Sequence, residues 1–288
     1  MWSRFGTCWA SWATDEVQLA EILSLSDHGP DIWVGTGPRY PWGGLYGGQV
    51  VAQALVAAGR SVPGEYEVHS MRAYFIRRGT EAEPVRYEVE RIRDGRTFVT
   101  RRVVARQGGS AILNLEASFQ RFEQSEDIET VPVDPSIPQP DGIGGADAES
   151  WSAAFARRWV HDMPDSFGGG RAVAWFRGSG ELPADPITQA AGFAFISDDL
   201  PTDAVIRSHP IATEAEEVRH EVLFTASLDH TIWFHRPGRS DAWHLHDFSC
   251  HSFVGGRGLA LGHIHSTSGE HVATVAQEVL IRDSRERA

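Results

Sequence analysis

The sequence contains no lysine, so all 26 of its basic residues are arginine. That absence removes several chemistries. A phosphate-loop NTPase needs its loop lysine, and a pyridoxal enzyme or Schiff-base aldolase needs a lysine amine. A coding bias is the plain explanation, and the exclusions hold either way. Cysteine is scarce too. Cys8 and Cys250 have no partners at metal-like spacing, so neither a disulfide framework nor a zinc ribbon is implied. A reduced, cytoplasmic setting fits. No run approaches the roughly 18 apolar residues of a membrane-spanning helix. Positive charge is outweighed: 39 acidic residues give a net charge of -13. This argues against nucleic-acid binding and against docking on anionic membranes. An anionic ligand would need a local basic pocket.

What is present is a repeat. His69-Ser-Met-Arg-Ala-Tyr-Phe-Ile-Arg-Arg-Gly79 and Leu228-Asp-His-Thr-Ile-Trp-Phe-His-Arg-Pro-Gly238 share an aromatic–Phe–x–Arg–x–Gly core. The spacing, about 160 residues, is far longer than a solenoid period and is the size of a small domain. Each copy follows a helix candidate and precedes alternating runs broken by glycine turns. The chain therefore reads as two related halves with a pseudo-twofold interface, a common place for a ligand cleft.

Residues 1–14, tryptophan-rich and a poor signal peptide, are read as a disordered extension or as the product of a start codon placed too far upstream. Residues 15–122 form the first half. It holds a helix candidate over 15–25 and a second, Gln49–Ala58, with Val50, Val51, Ala54, Leu55 and Ala58 on one face. Strands follow over 70–77, 85–93, 97–106 and 111–122, with Asp94-Gly95 marking a hairpin. Residues 123–165 are acidic and rich in Pro, Gly, Asp and Ser, and are read as a linker. Residues 166–288 repeat the order: a strand over 171–177, a helix over 186–195 running into Ser197-Asp-Asp-Leu200, then strands over 222–227, 231–236, 242–253, 258–265 and 272–282. One helix followed by antiparallel strands is an α+β pattern.

Four segments make the chain resemble the type II acyl-CoA thioesterases, which carry two fused hotdog domains. They are Leu45-Tyr-Gly-Gly-Gln-Val-Val-Ala-Gln-Ala-Leu55, Val68–Gly79, Ala226-Ser-Leu-Asp-His-Thr-Ile-Trp-Phe-His-Arg-Pro237 and Val272–Arg282. The resemblance implies a double hotdog, each half a long helix wrapped by an antiparallel sheet. It implies hydrolysis of acyl-CoA to fatty acid and CoA, with no metal or organic cofactor. Paired hotdog sheets also suggest a homo-oligomer. The family's catalytic acid, hydroxyl and glutamine match Asp198, Ser227 and Gln277. Such a trio suits water activation. A carboxylate accepts a proton, while a hydroxyl and an amide hold the water against a thioester carbonyl. Direct attack by Asp198 is the alternative route. The same groups also fit a solvated helix-end acid and ordinary strand residues.

Other features divide between readings. Gly43–Gly48 is either a phosphate cradle or a tight turn; the resemblance favours the turn, with the Gly48 N–H facing the ligand. Arg72 stands where relatives often carry a histidine, which leaves the first half's share of the site open. Arg77, Arg78, Arg236 and Arg239 are either CoA-phosphate contacts or solvated surface, and surface carries more weight for each. Ser227, Asp229 and His230 imitate a triad, but strand alternation sets Ser227 and Asp229 on one face and His230 on the other. No Gly-x-Ser-x-Gly elbow accompanies them. If a hairpin turns at Val254-Gly255, His244 lies opposite His265 and His246 opposite His263. One sheet face would then carry four imidazoles able to take zinc or nickel. A polar sheet face is the plainer reading, because no Cys or carboxylate completes the set. Two rivals to hydrolysis are an enoyl-CoA hydratase, whose Asp and His pair in a helix-preceding loop is missing, and a non-catalytic acyl-CoA-binding protein.

Overall fold

The computed structural model describes residues 17–143, 150–161, 163 and 170–287. The expected extension over 1–14 lies outside them. Five helices are seen among the described residues: α1 (Leu19–Ile22), α2 (Gly47–Gly59), α3 (Pro186–Ile196), α4 (Leu200–Ser208) and α5 (Glu216–Val222). The first-half strands are β1 (Ser26–Asp27), β2 (Ile32–Gly35), β3 (Tyr66–Phe75), β4 (Val85–Asp94), β5 (Phe98–Gln107) and β6 (Ser110–Arg121). Those of the second half are β7 (Phe155–Trp159), β8 (Arg171–Gly178), β9 (Leu223–Ser227), β10 (Asp229–Phe234), β11 (His244–Val254), β12 (Arg257–Ser266) and β13 (His271–Asp283). β7 falls inside the segment read as the linker and pairs with β8.

All the strands join one antiparallel sheet in the order β1-β2-β4-β5-β6-β3-β10-β13-β12-β11-β8-β7, with β9 also on β13. The two arms mirror each other about the β3–β10 seam. There Ser70 pairs with Trp233 and Tyr74 with Asp229, so a pseudo-twofold axis passes between Arg72 and Thr231. This is the α+β double hotdog: the repeated motif is the pair of strands that meet at the axis.

α2 and α3 are the two central helices. Every residue from Gly48 to Ala58 is buried, as is every residue from Gln189 to Ile196. An all-round buried helix reads as uniformly apolar or small rather than amphipathic, and α2 does so with four alanines in its sequence GGQVVAQALVAAG. The helices run antiparallel and touch through glycine. A Cβ at Gly48 would stand 2.3 Å from the Phe195 carbonyl oxygen, and one at Gly59 2.2 Å from Ile187 Cγ1. Two polar residues enter this core, Gln53 paired on both amide atoms and Gln49 on its amide oxygen, while Gln49 Nε2 has no partner among the described residues. Gln53 donates to the carbonyls of Ile22 and Thr36 and accepts from the Tyr87 hydroxyl, while Gln49 accepts from Tyr40. Arg101, fully buried, ties the β4–β5 hairpin to the end of α2 through Asp94, Ser61 and the carbonyls of Arg93 and Thr100.

The back of the second-half sheet is covered by the chain between the halves. Trp175 donates to the Pro138 carbonyl, Arg171 pairs with Asp134, and His265 meets the Val131 carbonyl. A small second core of Ile137, Val160, Val173, Trp175 and Leu245 lies beneath it.

The four-imidazole face does not form. The hairpin turns at Gly255-Gly256, and a bulge between Cys250 and Ser252 adds one residue to β11. One added residue exchanges the faces of everything beyond it. His244 therefore faces Ser266 and His246 faces Ile264, whereas His263 and His265 oppose Asp247 and Leu245. His244 and His246 point inward against Phe193 and Phe176, and His263 and His265 point out toward His271. Among the described residues no three metal-ligating side chains converge on a point.

Candidate active site

Asp198 sits in the turn between α3 and α4, just past the α3 C-cap Ser197. It is a step beyond the helix body, and it is only 5% exposed. Its carboxylate reaches across the interface to the N-terminus of α2. The Gly48 N–H donates to it, and a Cβ at Gly47 would stand 2.6 Å from Asp198 Oδ2. The first half thus enters the site through the positive end of its central helix, where unpaired N–H groups favour negative charge. The Gly48 N–H is turned toward the acid.

Ser227 closes β9, and its hydroxyl donates to Asp198 Oδ1 at 2.9 Å. Gln277, on β13 and fully buried, donates from Nε2 to Ser227 Oγ at 2.8 Å. Its amide also hydrogen-bonds the Asp198 carboxylate. The three residues named from the sequence are brought together. Burial pushes the Asp198 carboxyl up to about 7, against the pull of Ser227, Gln277 and the Gly48 N–H. A carboxyl that exchanges its proton near neutrality is suited to general acid–base work.

A fourth and fifth member were not anticipated. His230 meets Gln277 Oε1 through Nδ1, and its Nε2 lies 3.0 Å from Ser197 Oγ. His230 and Ser197 are fully buried. Strand alternation would place His230 opposite Ser227. The structure corrects this. From Ser227 to Thr231 the chain advances one residue more than β13 does from Val279 to Ala276. The extra residue is a bulge at Leu228-Asp229, which returns His230 to the face of Ser227. Asp229 accepts the Glu278 N–H at 2.8 Å and stabilises the bulge. Burial holds His230 down to about 4, so the ring is neutral. The sequence signal was the contiguous Ser-Leu-Asp-His itself, read with a break in alternation.

The pseudo-twofold axis places no matching set in the other half. The Gly59–Ile187 contact and the Asp198–Gly48 contact are its two copies, so Gly59 stands where Asp198 does. Met71 pairs with Ala117 as His230 lies beside Gln277, and Val68 holds the place of Ser227. None of these side chains can move a proton.

Around the acid lies an aromatic wall. Tyr46 donates to the Phe195 carbonyl at 2.9 Å and packs on Trp151, with Tyr40 and Trp42 beyond. Asp199, next to the catalytic candidate, is ion-paired with Arg157 at 2.6 Å and accepts a hydrogen bond from the Trp151 indole N–H. The four arginines are engaged. Arg77 donates to the Ala111 carbonyl, Arg78 to that of Trp42, Arg236 pairs with Asp127 and Glu129, and Arg239 with Asp241. Arg72 turns to Tyr74 and Asp229 rather than to the acid.

Comparison with known proteins bears on this geometry. Residues 36–120 match the acyl-CoA thioesterase N-terminal domain and residues 126–281 its C-terminal domain. The chain is 32% identical to acyl-CoA thioesterase 2 of Haemophilus influenzae, over 92% of this chain and 97% of that one. It is 32% identical to acyl-coenzyme A thioesterase 8 of Mus musculus, over 92% and 89%. Among solved structures it resembles acyl-CoA thioesterase II TesB2 from Mycobacterium marinum, with 35% identity, a TM-score of 0.76, and coverage of 92% and 97%.

Proposed function

The chain belongs to the acyl-CoA thioesterase family, with acyl-CoA thioester hydrolysis as its reaction, and from that premise we propose that Asp198, Ser227 and Gln277 carry the chemistry. The observation behind this reading is the meeting of a buried carboxyl, a hydroxyl and an amide at the start of α2.

A water held by Ser227 and Gln277 gives a proton to the Asp198 carboxylate as its oxygen attacks the thioester carbonyl. The carbonyl becomes a tetrahedral oxyanion, and the positive end of the α2 dipole stabilises its charge. Collapse breaks the carbon–sulfur bond. The CoA thiolate takes the proton from Asp198, leaving a fatty acid and a free thiol. Ionised Asp198 begins and ends the cycle, so no covalent acyl intermediate is needed. The aromatic wall of Tyr46, Trp151 and Phe195 supplies apolar surface for the acyl chain. The buried free thiol of Cys250 accords with a reducing, cytoplasmic setting.

The test is thiol release from a panel of acyl-CoA substrates. Asp198→Asn keeps the shape and loses the base, and should lower kcat by about 10²–10⁴-fold with the thermal midpoint retained. Unchanged turnover in a folded Asp198→Asn protein would reject this site.

A further inference from the structure

We infer that His230 and Ser197 are positioning residues that set the direction of the Gln277 amide and, through it, of the Ser227 hydroxyl. The inference rests on the reading of Asp198, Ser227 and Gln277 as the reacting groups.

The contacts form a directed chain. Gln277 Nε2 donates to Ser227 Oγ, so the Ser227 proton is left for Asp198 Oδ1, the acceptor 2.9 Å away. That arrangement requires Gln277 Oε1 to face His230, and an oxygen there accepts only if Nδ1 carries the proton. The ring is neutral, so Nε2 is then an acceptor, and its hydrogen-bond neighbour among the described residues, Ser197 Oγ at 3.0 Å, donates to it. Ser197 directly precedes Asp198, so the peptide bond closes the five residues into a ring.

The opposite order is costly. With the proton on Nε2, the Nδ1 lone pair would face the Gln277 oxygen. Turning the amide over relieves that, but aims Oε1 at Ser227 and the Asp198 carboxylate, two oxygens in place of donor and acceptor. His230, Gln277 and Ser197 are fully buried, so solvent does not compensate a mismatched pair. His230 thus acts on the water-holding groups without contacting substrate.

Long-range ¹H–¹⁵N spectroscopy of the wild-type enzyme should show His230 protonated on Nδ1 from about pH 5 to about pH 8. An Nε2–H tautomer overturns the inference, and this reading needs no variant. In thiol-release assays with the best straight-chain acyl-CoA, His230→Leu should lower kcat about 10²-fold with KM changed less than about twofold. His230→Asn, which keeps an N–H donor in the Nδ1 position, should recover about tenfold of that. His230→Leu combined with Gln277→Ala should be no slower than Gln277→Ala alone, since both act through one amide. A folded His230→Leu enzyme with kcat within about twofold of wild type refutes the role. The two readings separate cleanly. Active Asp198→Asn removes the site itself, whereas inactive Asp198→Asn beside fully active His230→Leu removes only this inference.

Discussion

Asp198 combines two properties that normally exclude one another. It is almost wholly buried, yet its carboxyl lies near neutrality rather than far above it, because Ser227, Gln277 and the Gly48 N–H oppose the desolvation. The base form must be ionised, so kcat/KM should climb as pH rises through about 7 and level off above it. A rate profile flat from about pH 5 to about pH 8 would separate Asp198 from the proton transfer. This trio was legible because its members lie in short motifs that survive as strings: Ser-Leu-Asp-His, Ala-Gln-Glu, Ser-Asp-Asp. Ser197 and His230 were not. Ser197 reads as an ordinary C-cap residue, and His230 reads as facing away from Ser227. The bulge that reverses it depends on how β9 and β10 both pair with β13, which no local pattern records.

Among the elements, the long strands and the two central helices followed from periodicity and glycine turns. α2 runs over Gly47–Gly59 where the pattern predicted Gln49–Ala58, and β3, β4, β5 and β6 lie within a few residues of expectation. The short elements were missed for physical reasons. β1 and β2 are too brief to alternate. β7 carries Arg157 and Arg158 in its five residues, and α4 begins at Leu200-Pro201, which looked like the tail of α3. The histidine faces were misread because one bulge in β11 outweighs any count of alternation. What the elements demand most is close approach of α2 and α3. Gly59→Ala places a Cβ 2.2 Å from Ile187 Cγ1 and should destabilise the fold by about 1–3 kcal/mol. Ile187→Ala in the same chain should restore part of it, giving a coupling of about 1 kcal/mol in denaturant titrations. Strict additivity would show that the helices do not meet there.

Across the whole molecule, histidine dominates the response to acid. Burial lowers the pKa of His230 and His271 to about 4 and holds that of His246 well below the ordinary imidazole value. The unfolded chain takes these protons near an ordinary imidazole value of about 6.5. Folding stability from these groups is therefore complete above about 6.5 and is lost as pH falls from there toward about 4. Asp198 and Asp203, raised to about 7 and about 6, work in the opposite sense over part of the same range, but they are fewer. His246 is the sharpest case. It packs between Phe176 and Phe248, and neither ring nitrogen has a partner among the described residues. His246→Phe should raise the thermal midpoint, and by more at about pH 5 than at about pH 8. An equal rise at both would show that His246 is not held neutral by the fold.

Gly59, Val68 and Ala117 occupy the counterpart of the acid, hydroxyl and amide. The duplication is therefore asymmetric in its chemistry although nearly symmetric in its backbone. A tight mimic of the tetrahedral species should saturate at one equivalent per polypeptide, not two. Separated halves would each lack something indispensable: one the reactive trio, the other the helix dipole that steadies its charge.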